Sequence, residues 1–302
     1  MRKDISILIS LIIVLTLVII VFVGAYNKSH MDIEETILTE DVGIMLHEQA
    51  SSFDTFMQGE KKPRVEVIAH RGFSSAAPDN TLASFSKAVD LGCNQIELDV
   101  QMTKDGAIVV YHDNELSYNT AKTGKISDYY YTEISQTVVG SVSENDEYSE
   151  ECIPRLQDVL DLVKNRNIRI NLELKNIGDN DVFVNRVVSL VKINHMENQV
   201  IFSSFRYGYL QKIKEIDENL QVEYVSDLGD PDELFKNYPA DYYNLRYTNV
   251  TQSTIDMLHY YGAKVFVWTV DDVDGMHDAI EMHVDGVVTN CPDLLALVLA
   301  SY

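Results

Sequence analysis

The sequence has few cysteines and few basic residues, and both shortages restrict what the protein can be. Its three cysteines, Cys93, Cys152 and Cys291, are odd in number, far apart and without the Cys-x-x-Cys spacing of a zinc site or a redox pair. A disulfide framework is therefore not expected. The 24 lysines and arginines stand against 47 acidic residues, which gives a formal net charge of −23. Such a charge argues against nucleic acid, or an anionic membrane surface, as the main electrostatic partner.

A Gly-x-Gly-x-x-Gly fingerprint is also missing, so nothing in the sequence favours a dinucleotide-binding sheet. The hydrophobic content of 46% is nevertheless ample for a large core in a chain of 302 residues. The shortage of positive charge has one further consequence. If the substrate is an anion, the site must supply its own cations or a metal ion.

One long apolar run lies near the N-terminus. Residues 5–26 carry no charge, and as a helix these 22 residues would span roughly 33 Å, against about 30 Å for the hydrocarbon core of a bilayer. Arg2 and Lys3 precede the run, which under the positive-inside rule leaves the N-terminus in the cytoplasm. We therefore expect residues 1–26 to be a cytoplasmic tip and a single transmembrane helix. A cleaved signal peptide is the rival interpretation, because Val23-Gly24-Ala25 is a small-residue pattern that signal peptidases accept.

The rest of the chain divides into a stalk and a globular part. Residues 27–62 are polar with scattered apolar positions and are interpreted as the stalk. Residues 63–302 are close in length to a single eight-stranded parallel barrel of about 250 residues. Short runs rich in β-branched residues recur there, at residues 65–69, 95–102, 107–111, 168–174, 200–204, 221–225, 240–244, 264–270 and 285–289.

One of these nine runs is surplus to a barrel of eight strands. Only four residues, Thr103-Lys104-Asp105-Gly106, separate the second run from the third, and a parallel crossover needs a dozen or more. The third run must therefore return antiparallel as a hairpin. Helical patterns fill most other intervals, at residues 81–91 (with Asn80 as N-cap), 156–164, 209–217 and 253–261. Alternating strands and helices predict a parallel sheet, and eight strands favour a (β/α)8 TIM barrel.

Residues 113–152 break this alternation. The interval has little apolar periodicity, five tyrosines and an acidic patch at residues 144–151. Because long loops in compact domains tend to be functional, we interpret it as a small insertion after the second strand that forms a lid beside the site. A solvated excursion with no role in the site is the alternative.

Two histidines follow predicted strands at the end where a parallel barrel has its active site. His70 and Arg71 follow the first strand, and His112 follows the hairpin strand. A lone histidine at a strand end is more often a structural residue than a catalyst. Two histidines on either side of a pocket would instead suit general base and general acid in cleaving a phosphate ester, one deprotonating the attacking hydroxyl and the other protonating the leaving alkoxide.

Three carboxylates are expected at the same end. Glu97 and Asp99 are two residues apart and so share a face of the second strand, while Glu173 and Lys175 share a face of the next barrel strand. Three hard oxygen donors with no cysteine nearby suit Ca²⁺ or Mg²⁺ better than Zn²⁺. An ion pair with a neighbouring lysine or arginine is the alternative for any one of them. A metal ion, together with Arg71 and Lys175, would make a cationic pocket in an acidic protein.

The motifs, taken in order, resemble those of the glycerophosphodiester phosphodiesterases. They are His70-Arg71-Gly72, Ala77-Pro78-Asp79-Asn80-Thr81, the stretch of residues 97–106, His112-Asp113, Glu173-Leu174-Lys175 and the stretch of residues 285–290. The resemblance spans residues 65–295. It implies a (β/α)8 barrel with a small insertion after the second strand, which hydrolyses glycerophosphodiesters to sn-glycerol 3-phosphate and an alcohol. With the apolar N-terminal run, the expected location is a single-pass cell-membrane protein whose catalytic domain is extracytoplasmic.

The resemblance also implies a role for each motif residue. It implies that His70 and His112 are the acid/base pair, that Glu97, Asp99 and Glu173 bind the divalent metal, that Arg71 and Lys175 bind phosphate, and that Trp268 lines the substrate cleft. The family usually has Glu where this chain has Asp79. A surface enzyme that cleaves lipids or a glycerol-phosphate polymer is one alternative, and a binding module that has lost catalysis is another. The full set of histidines, carboxylates and Lys175 argues against the latter.

Overall fold

Strands and helices alternate in the computed structural model, which describes residues 65–140, 148–175, 181–227 and 229–302. The strands are β1 (Glu66–Ala69), β2 (Gln95–Met102), β3 (Ile108–Val110), β4 (Arg169–Leu174), β5 (Val200–Ser204), β6 (Gln221–Ser226), β7 (Tyr242–Arg246), β8 (Lys264–Trp268) and β9 (Gly286–Thr289). The helices are α1 (Leu82–Leu91), α2 (Tyr131–Ile134), α3 (Leu156–Val163), α4 (Asp181–Ile193), α5 (Tyr207–Ile216), α6 (Pro231–Asn237), α7 (Gln252–Tyr260), α8 (Val273–Glu281) and α9 (Pro292–Ala300). Short 3-10 helices lie at Leu116–Tyr118, Ile126–Asp128, Glu197–Gln199 and Tyr247–Asn249.

The sheet closes on itself because β1 pairs in parallel with both β2 and β9. Over the residues that the structure describes, eight strands form the barrel in the order β1-β2-β4-β5-β6-β7-β8-β9, and β3 lies outside it, antiparallel to β2. The predicted (β/α)8 barrel and the predicted hairpin are both confirmed. The hairpin turn has Gly106 at φ 84°, a left-handed conformation that glycine adopts without a steric penalty.

Each barrel strand has one face toward the helices and one toward the barrel interior. Ile96, Leu98 and Val100 of β2 pack with the helices in the main hydrophobic core, and the side chains between them point the other way. A smaller apolar cluster fills part of the interior and consists of Ile68, Ile201, Tyr242, Phe266 and Val288. The polar side chains on the interior face lie on either side of this cluster. Gln95 and Arg169 both bond to Glu66 at the amino ends of the strands, and a second polar group lies at the carboxyl ends.

Helix α1 begins with a different cap from the one predicted. Thr81 is the N-cap, and its hydroxyl accepts a hydrogen bond from the backbone N–H of Ser84 at 3.3 Å. The prediction of Asn80 as the cap is wrong, because Asn80 has φ 58° and its side-chain amide donates to Asp99 Oδ2 at 2.8 Å. Both residue types are good caps, and asparagine also tolerates the left-handed region. Because the Asn80 side chain is bonded to Asp99 of β2, Thr81 and not Asn80 caps the helix.

The insertion, residues 113–152, has a small core of its own. The structure describes residues 113–140 and 148–152 of it, and its apolar side chains pack with β3 and the residues on either side of that strand in a cluster of Val109, Tyr111, Leu116, Ile126, Ile134, Val139 and Ile153. It also contacts the loop between β1 and α1. Tyr148 Oη donates to the carbonyl of Ala76 at 3.0 Å, and Asn119 Nδ2 donates to Asp79 Oδ1 at 2.7 Å. The insertion thus supports the loop that follows His70.

Within the described ranges, no helix is both long enough and apolar enough to cross a membrane. The predicted transmembrane helix in residues 1–26 and the predicted stalk in residues 27–62 lie outside the described residues.

Candidate active site

A cavity of about 140 Å³ lies at the carboxyl ends of the barrel strands. The structure brings every predicted site residue to its wall: His70, Arg71, Glu97, Asp99, His112, Glu173, Lys175 and Trp268. Residues that the sequence did not single out complete the lining: Asn171, Phe205, Val225, Asn244, Thr269 and Val288, with Ser203. A larger groove of about 630 Å³, beside the β2–β3 turn and α4, is lined by no histidine or carboxylate in the described part of the chain and offers no comparable chemistry.

The three predicted carboxylates form one group. Each of Glu97, Asp99 and Glu173 offers a carboxylate oxygen, and these atoms all lie within 4.8 Å of one another. Strand pairing explains the convergence, because Asp99 of β2 is directly opposite Glu173 of β4 and Glu97 is two residues earlier on the same face. Glu97 and Asp99 are buried, at 4% and 1% exposure.

The surroundings shift the pKa values of these carboxylates in different directions. Burial raises the pKa of Glu97 well above its usual range, and the nearby Asp99 and Glu173 raise it further. Burial also raises the pKa of Glu173, against the opposing effect of Lys175. Burial alone would raise the pKa of Asp99 too, but Lys175 and Arg71 outweigh it and lower that pKa. The protein's own cations therefore neutralise only part of the group.

A divalent cation fits this group of residues. The donors are all hard carboxylate oxygens, and they are close enough to share one ion. Burial is the main cause of the raised pKa of Glu97, and repulsion from Asp99 and Glu173 adds to it. The alternative predicted from the sequence, an ion pair with a neighbouring lysine or arginine, is also present for Glu173 and Asp99. Lys175 Nζ lies 2.7 Å from Glu173 Oε1 and 3.4 Å from Asp99 Oδ1.

Arg71 and Lys175 put positive charge into the wall of the cavity. Burial lowers the pKa of Lys175, but Asp99 and Glu173 more than reverse this and raise it overall, so the ammonium group stays charged. Arg71 lies with Nε 3.4 Å from Asp99 Oδ2 and with Nη1 3.1 Å from Asp79 Oδ2. Asp79 is thus a partner of Arg71 and not a member of the carboxylate group.

A sharp turn after β1 places His70 at the cavity. Arg71 has φ 55° and Gly72 has φ 82°, and a Cβ at Gly72 would come within 2.3 Å of the Ser84 hydroxyl, so only glycine fits there. Burial, and after it the neighbouring Arg71 guanidinium, lower the pKa of His70 to about 4. Its imidazole is therefore neutral near pH 7, as a general base must be.

His112 follows the hairpin strand and is held by a glutamine of the neighbouring strand. Gln101 Nε2 lies within hydrogen-bonding distance of the carbonyl oxygens of Tyr111, His112 and Asp113, at 2.9, 3.2 and 2.8 Å. This fixes the backbone where β3 ends. The His112 Nδ1 atom lies 3.0 Å from Asp113 Oδ1, and this contact fixes the orientation of the imidazole ring.

Trp268 belongs to an aromatic wall on the other side of the cavity. Its indole N–H donates to the carbonyl of Asn244 at 3.2 Å, and Phe205 meets the ring edge-to-face at 5.4 Å. The Arg246 guanidinium lies 4.6 Å from the ring centroid. Phe205 is 42% exposed, so this wall presents apolar surface to the cavity mouth.

Two asparagines near the site have partners that the sequence does not indicate. Asn80 donates to Asp99 Oδ2 and accepts from the Asp99 backbone N–H at 3.2 Å, and Asn290 Oδ1 lies 2.7 Å from His70 Nδ1. Both belong to motifs quoted above, but nothing in the residue pattern names their partners. The described residues of the insertion do not line the cavity, and its function as a lid stays a prediction.

Comparison with known proteins is consistent with this geometry. Residues 70–294 match the model of the glycerophosphoryl diester phosphodiesterase family. The chain is 32% identical over 232 residues to a glycerophosphodiester phosphodiesterase of Caldanaerobacter subterraneus subsp. tengcongensis, with 76% of this chain and 95% of that protein covered. It is also 32% identical over 236 residues to one from Bacillus altitudinis, with 76% and 95% covered. An Oleispira antarctica phosphodiesterase, solved in complex with the product sn-glycerol-3-phosphate, superposes with a TM-score of 0.74 at 27% identity, covering 78% of this chain and 96% of that one.

Proposed function

The chain belongs to the glycerophosphoryl diester phosphodiesterase family and hydrolyses glycerophosphodiesters to glycerol 3-phosphate, and we propose that it does so in the cavity between His70 and His112. The observation that carries this proposal is the convergence of two histidines, three carboxylates and two basic residues on one cavity of about 140 Å³. The relative solved with sn-glycerol-3-phosphate supports the choice of product.

In this proposal the two histidines divide the proton transfers. His70, neutral because its pKa is lowered to about 4, takes a proton from the water whose oxygen attacks phosphorus. As the new P–O bond forms, the P–O bond to the alcohol breaks, and His112 gives its proton to the departing oxygen. Asp113 Oδ1 lies 3.0 Å from His112 Nδ1 and orients the ring for this transfer.

The two basic residues and the three carboxylates have different roles in this proposal. Arg71 and Lys175 bind the phosphoryl oxygens, and their contacts with Asp99 hold both side chains in place between turnovers. Glu97, Asp99 and Glu173 would hold one divalent cation, Ca²⁺ or Mg²⁺. When bound, that ion offsets charge on the phosphoryl oxygens.

We further propose that residues 1–26 anchor the enzyme in the cell membrane with the barrel on the extracytoplasmic side. The support is the uncharged run at residues 5–26, with Arg2 and Lys3 before it. A cleaved signal peptide would deliver the same barrel outside without the anchor.

Substitution of the histidines tests the assignment. His70→Ala and His112→Ala should each lower glycerol 3-phosphate release from a glycerophosphocholine substrate by at least about 100-fold, the usual size of a lost general acid or base. His277→Ala is the matched control, since His277 lies on α8 with Tyr302 Oη as its partner and should keep wild-type turnover.

Unchanged turnover in His70→Ala or in His112→Ala would contradict the proposed mechanism. If calorimetry shows that the wild-type protein binds the diester but forms no product, the alternative of a binding module without catalysis is favoured. In the same assay EDTA should abolish release, and Ca²⁺ or Mg²⁺ should restore it. Full activity in EDTA would contradict the metal site.

A further inference from the structure

Three loops at neighbouring strand ends meet behind His70. Strands β1, β9 and β8 are adjacent in the barrel, and they are followed by His70, Asn290 and Asp271 in that order. His70 Nδ1 lies 2.7 Å from Asn290 Oδ1, and Asn290 Nδ2 lies 2.6 Å from Asp271 Oδ2. The Asn290 backbone N–H donates to the other oxygen of Asp271 at 2.7 Å. A continuous chain of hydrogen bonds therefore runs from an exposed carboxylate to the imidazole.

Asp271 decides which end of the Asn290 amide faces His70. An ionised carboxylate only accepts hydrogen bonds, so the amide NH₂ must point toward Asp271 and the carbonyl oxygen toward the imidazole. The Ser74 hydroxyl donates to the same Oδ1 atom at 2.8 Å, which agrees with this orientation. In the flipped amide, two acceptor oxygens would face each other with no hydrogen between them.

The orientation of the amide in turn sets the tautomer of His70. Because Asn290 Oδ1 can only accept, the hydrogen of the neutral ring must be on Nδ1, and Nε2 keeps the lone pair. Asn290 itself carries no charge. The charged or titratable groups that act on His70 are Arg71, Asp99 and His112. The Asn290 hydrogen bond raises the pKa of His70, but burial and Arg71 keep that pKa lowered overall.

We propose that Asn290 and Asp271 are positioning residues that hold His70 as the Nδ1–H tautomer, with Nε2 free to take a proton. This inference rests on the proposed function, in which His70 is the general base. Neither residue lines the cavity within the described part of the chain, so both act through His70 and not on the substrate. Substitution of either residue should therefore change kcat, which depends on proton transfer, and leave KM nearly unchanged.

The test uses the full chain, with kcat and KM measured on glycerophosphocholine and the ring nitrogens of His70 observed by ¹⁵N NMR. Asn290→Ala should lower kcat about 10- to 100-fold, the range typical of losing the partner that orients a functional histidine, with KM changed less than about twofold. Its spectrum should show a mixture of tautomers. Asp271→Asn should also lower kcat and give a mixture of tautomers, but with a smaller loss of kcat than Asn290→Ala. Ser74→Ala is the matched control, because it removes only the second donor to Oδ1 and should keep the wild-type kcat and tautomer.

Asn290→Asp, made together with Asp271→Asn so that two carboxylates do not face each other at the 2.6 Å contact, gives a second test that does not depend on loss of activity. The new carboxylate would accept from Nδ1 and from the new amide at position 271, and it would add negative charge beside the ring, which raises the pKa of His70. The acid limb of the kcat/KM profile should therefore move to higher pH while the Nδ1–H tautomer persists. A wild-type kcat in Asn290→Ala, a mixed tautomer in the wild type, or an unmoved acid limb in the double variant would overturn the inference. Full turnover in His70→Ala would instead overturn the function on which it rests.

Discussion

Glu223 is a carboxylate inside the barrel with which none of the described lysines or arginines forms an ion pair. It is fully buried, and both of its oxygens accept from Asn171 Nδ2, at 2.8 and 2.9 Å, while one also accepts from Asn244 Nδ2 at 3.0 Å. Burial raises the pKa of Glu223 to about 7, and these hydrogen bonds reduce the rise without cancelling it. The residue therefore changes charge in the neutral range without leaving the core.

Glu223 should make the protein less stable as pH rises. Its pKa is higher in the folded chain, at about 7, than the ordinary 4.5, so the folded state binds the proton more tightly than the unfolded state. The stabilisation is complete below pH 4.5 and is lost as pH rises to about 7, a loss of about 3 kcal/mol from this group. Glu223→Gln should remove that part of the pH dependence of the free energy of unfolding, measured by urea titration at several pH values.

The control for this substitution is Glu218→Gln, which makes the same chemical change at an exposed position. A Glu223→Gln variant whose unfolding free energy follows the wild-type curve across pH 4.5–7 would contradict the raised pKa. A difference in unfolding free energy that is the same at every pH would not contradict it, because replacing the carboxyl group by an amide changes the hydrogen bonds with Asn171 and Asn244.

At the scale of single residues, the sequence indicates those side chains whose position follows from strand alternation. Glu97 and Asp99 must share a face of β2, and their register with β4 brings Glu173 beside them. The partners of Asn290 could not be predicted in the same way. His70 and Asn290 are 220 positions apart, and their contact depends on how the last strand closes against the first.

The insertion acts on the site through a loop. Asn119 of the insertion donates to one oxygen of Asp79, and the other oxygen of Asp79 contacts Arg71 Nη1 at 3.1 Å. The element that the sequence marks as irregular therefore holds a carboxylate that contacts Arg71, the arginine proposed to bind phosphate. The shorter side chain of Asp79, where the family usually has glutamate, is matched here by an asparagine that reaches it at 2.7 Å.

Loss of the Asn119 amide should weaken substrate binding. A hydrogen bond of this kind contributes about 1 kcal/mol, so Asn119→Ala should raise KM for the diester about fivefold, with a smaller effect on kcat. Steady-state kinetics on the full chain would measure both. Tyr118→Ala is the matched control, because Tyr118 is the preceding residue and is 77% exposed. If KM is the same in all three proteins, the insertion does not influence Arg71 through Asp79.

At the scale of elements, the sequence predicts the existence and order of strands better than their ends. Strand β7 begins at Tyr242, two residues after its predicted start, because Asp241 closes the preceding turn. The Asp241 backbone N–H donates to the carbonyl of Val222, and the Asp241 carboxylate accepts from the Val222 backbone N–H. Helix α5 begins at Tyr207, two residues before its predicted start, directly after Arg206 in extended conformation. In both cases a local contact moves the boundary, and the periodicity of apolar residues does not record such contacts.

At the scale of the whole molecule, positive charge is scarce and is placed where the substrate phosphate is expected. The chain has a net charge of −23, yet Arg71 and Lys175 both line the one cavity that contains the carboxylate group. An acidic exterior keeps the protein away from anionic surfaces in general. In the proposed function, Arg71 and Lys175 would bind the phosphate that enters the cavity.

The proposed membrane anchor predicts how the full chain fractionates. Expressed in cells, it should sediment with membranes and resist extraction by alkaline carbonate. Replacement of both Leu15 and Leu17 by arginine should abolish this, since each arginine at the centre of a spanning helix costs about 3 kcal/mol on an insertion scale. Leu15→Ile together with Leu17→Ile is the control. If the wild-type protein is instead found in the soluble fraction, with its mass reduced by cleavage near Ala25, the N-terminal run is a cleaved signal peptide and not an anchor.

The two halves of the barrel contribute different kinds of residue to the cavity. The histidines, the carboxylate group and both cations come from the loops and strands between β1 and the end of β4, whereas Phe205, Asn244 and Trp268 come from β5 to β8. The second half also holds Asn290 and Asp271, which contact His70, so an exchange that leaves the proposed acid/base pair intact must be limited to residues 200–268. Chimaeras that take residues 200–268 from a relative should inherit the relative's preferred alcohol and keep His70, Asn290 and Asp271, which gives this fold a simple route to new specificities.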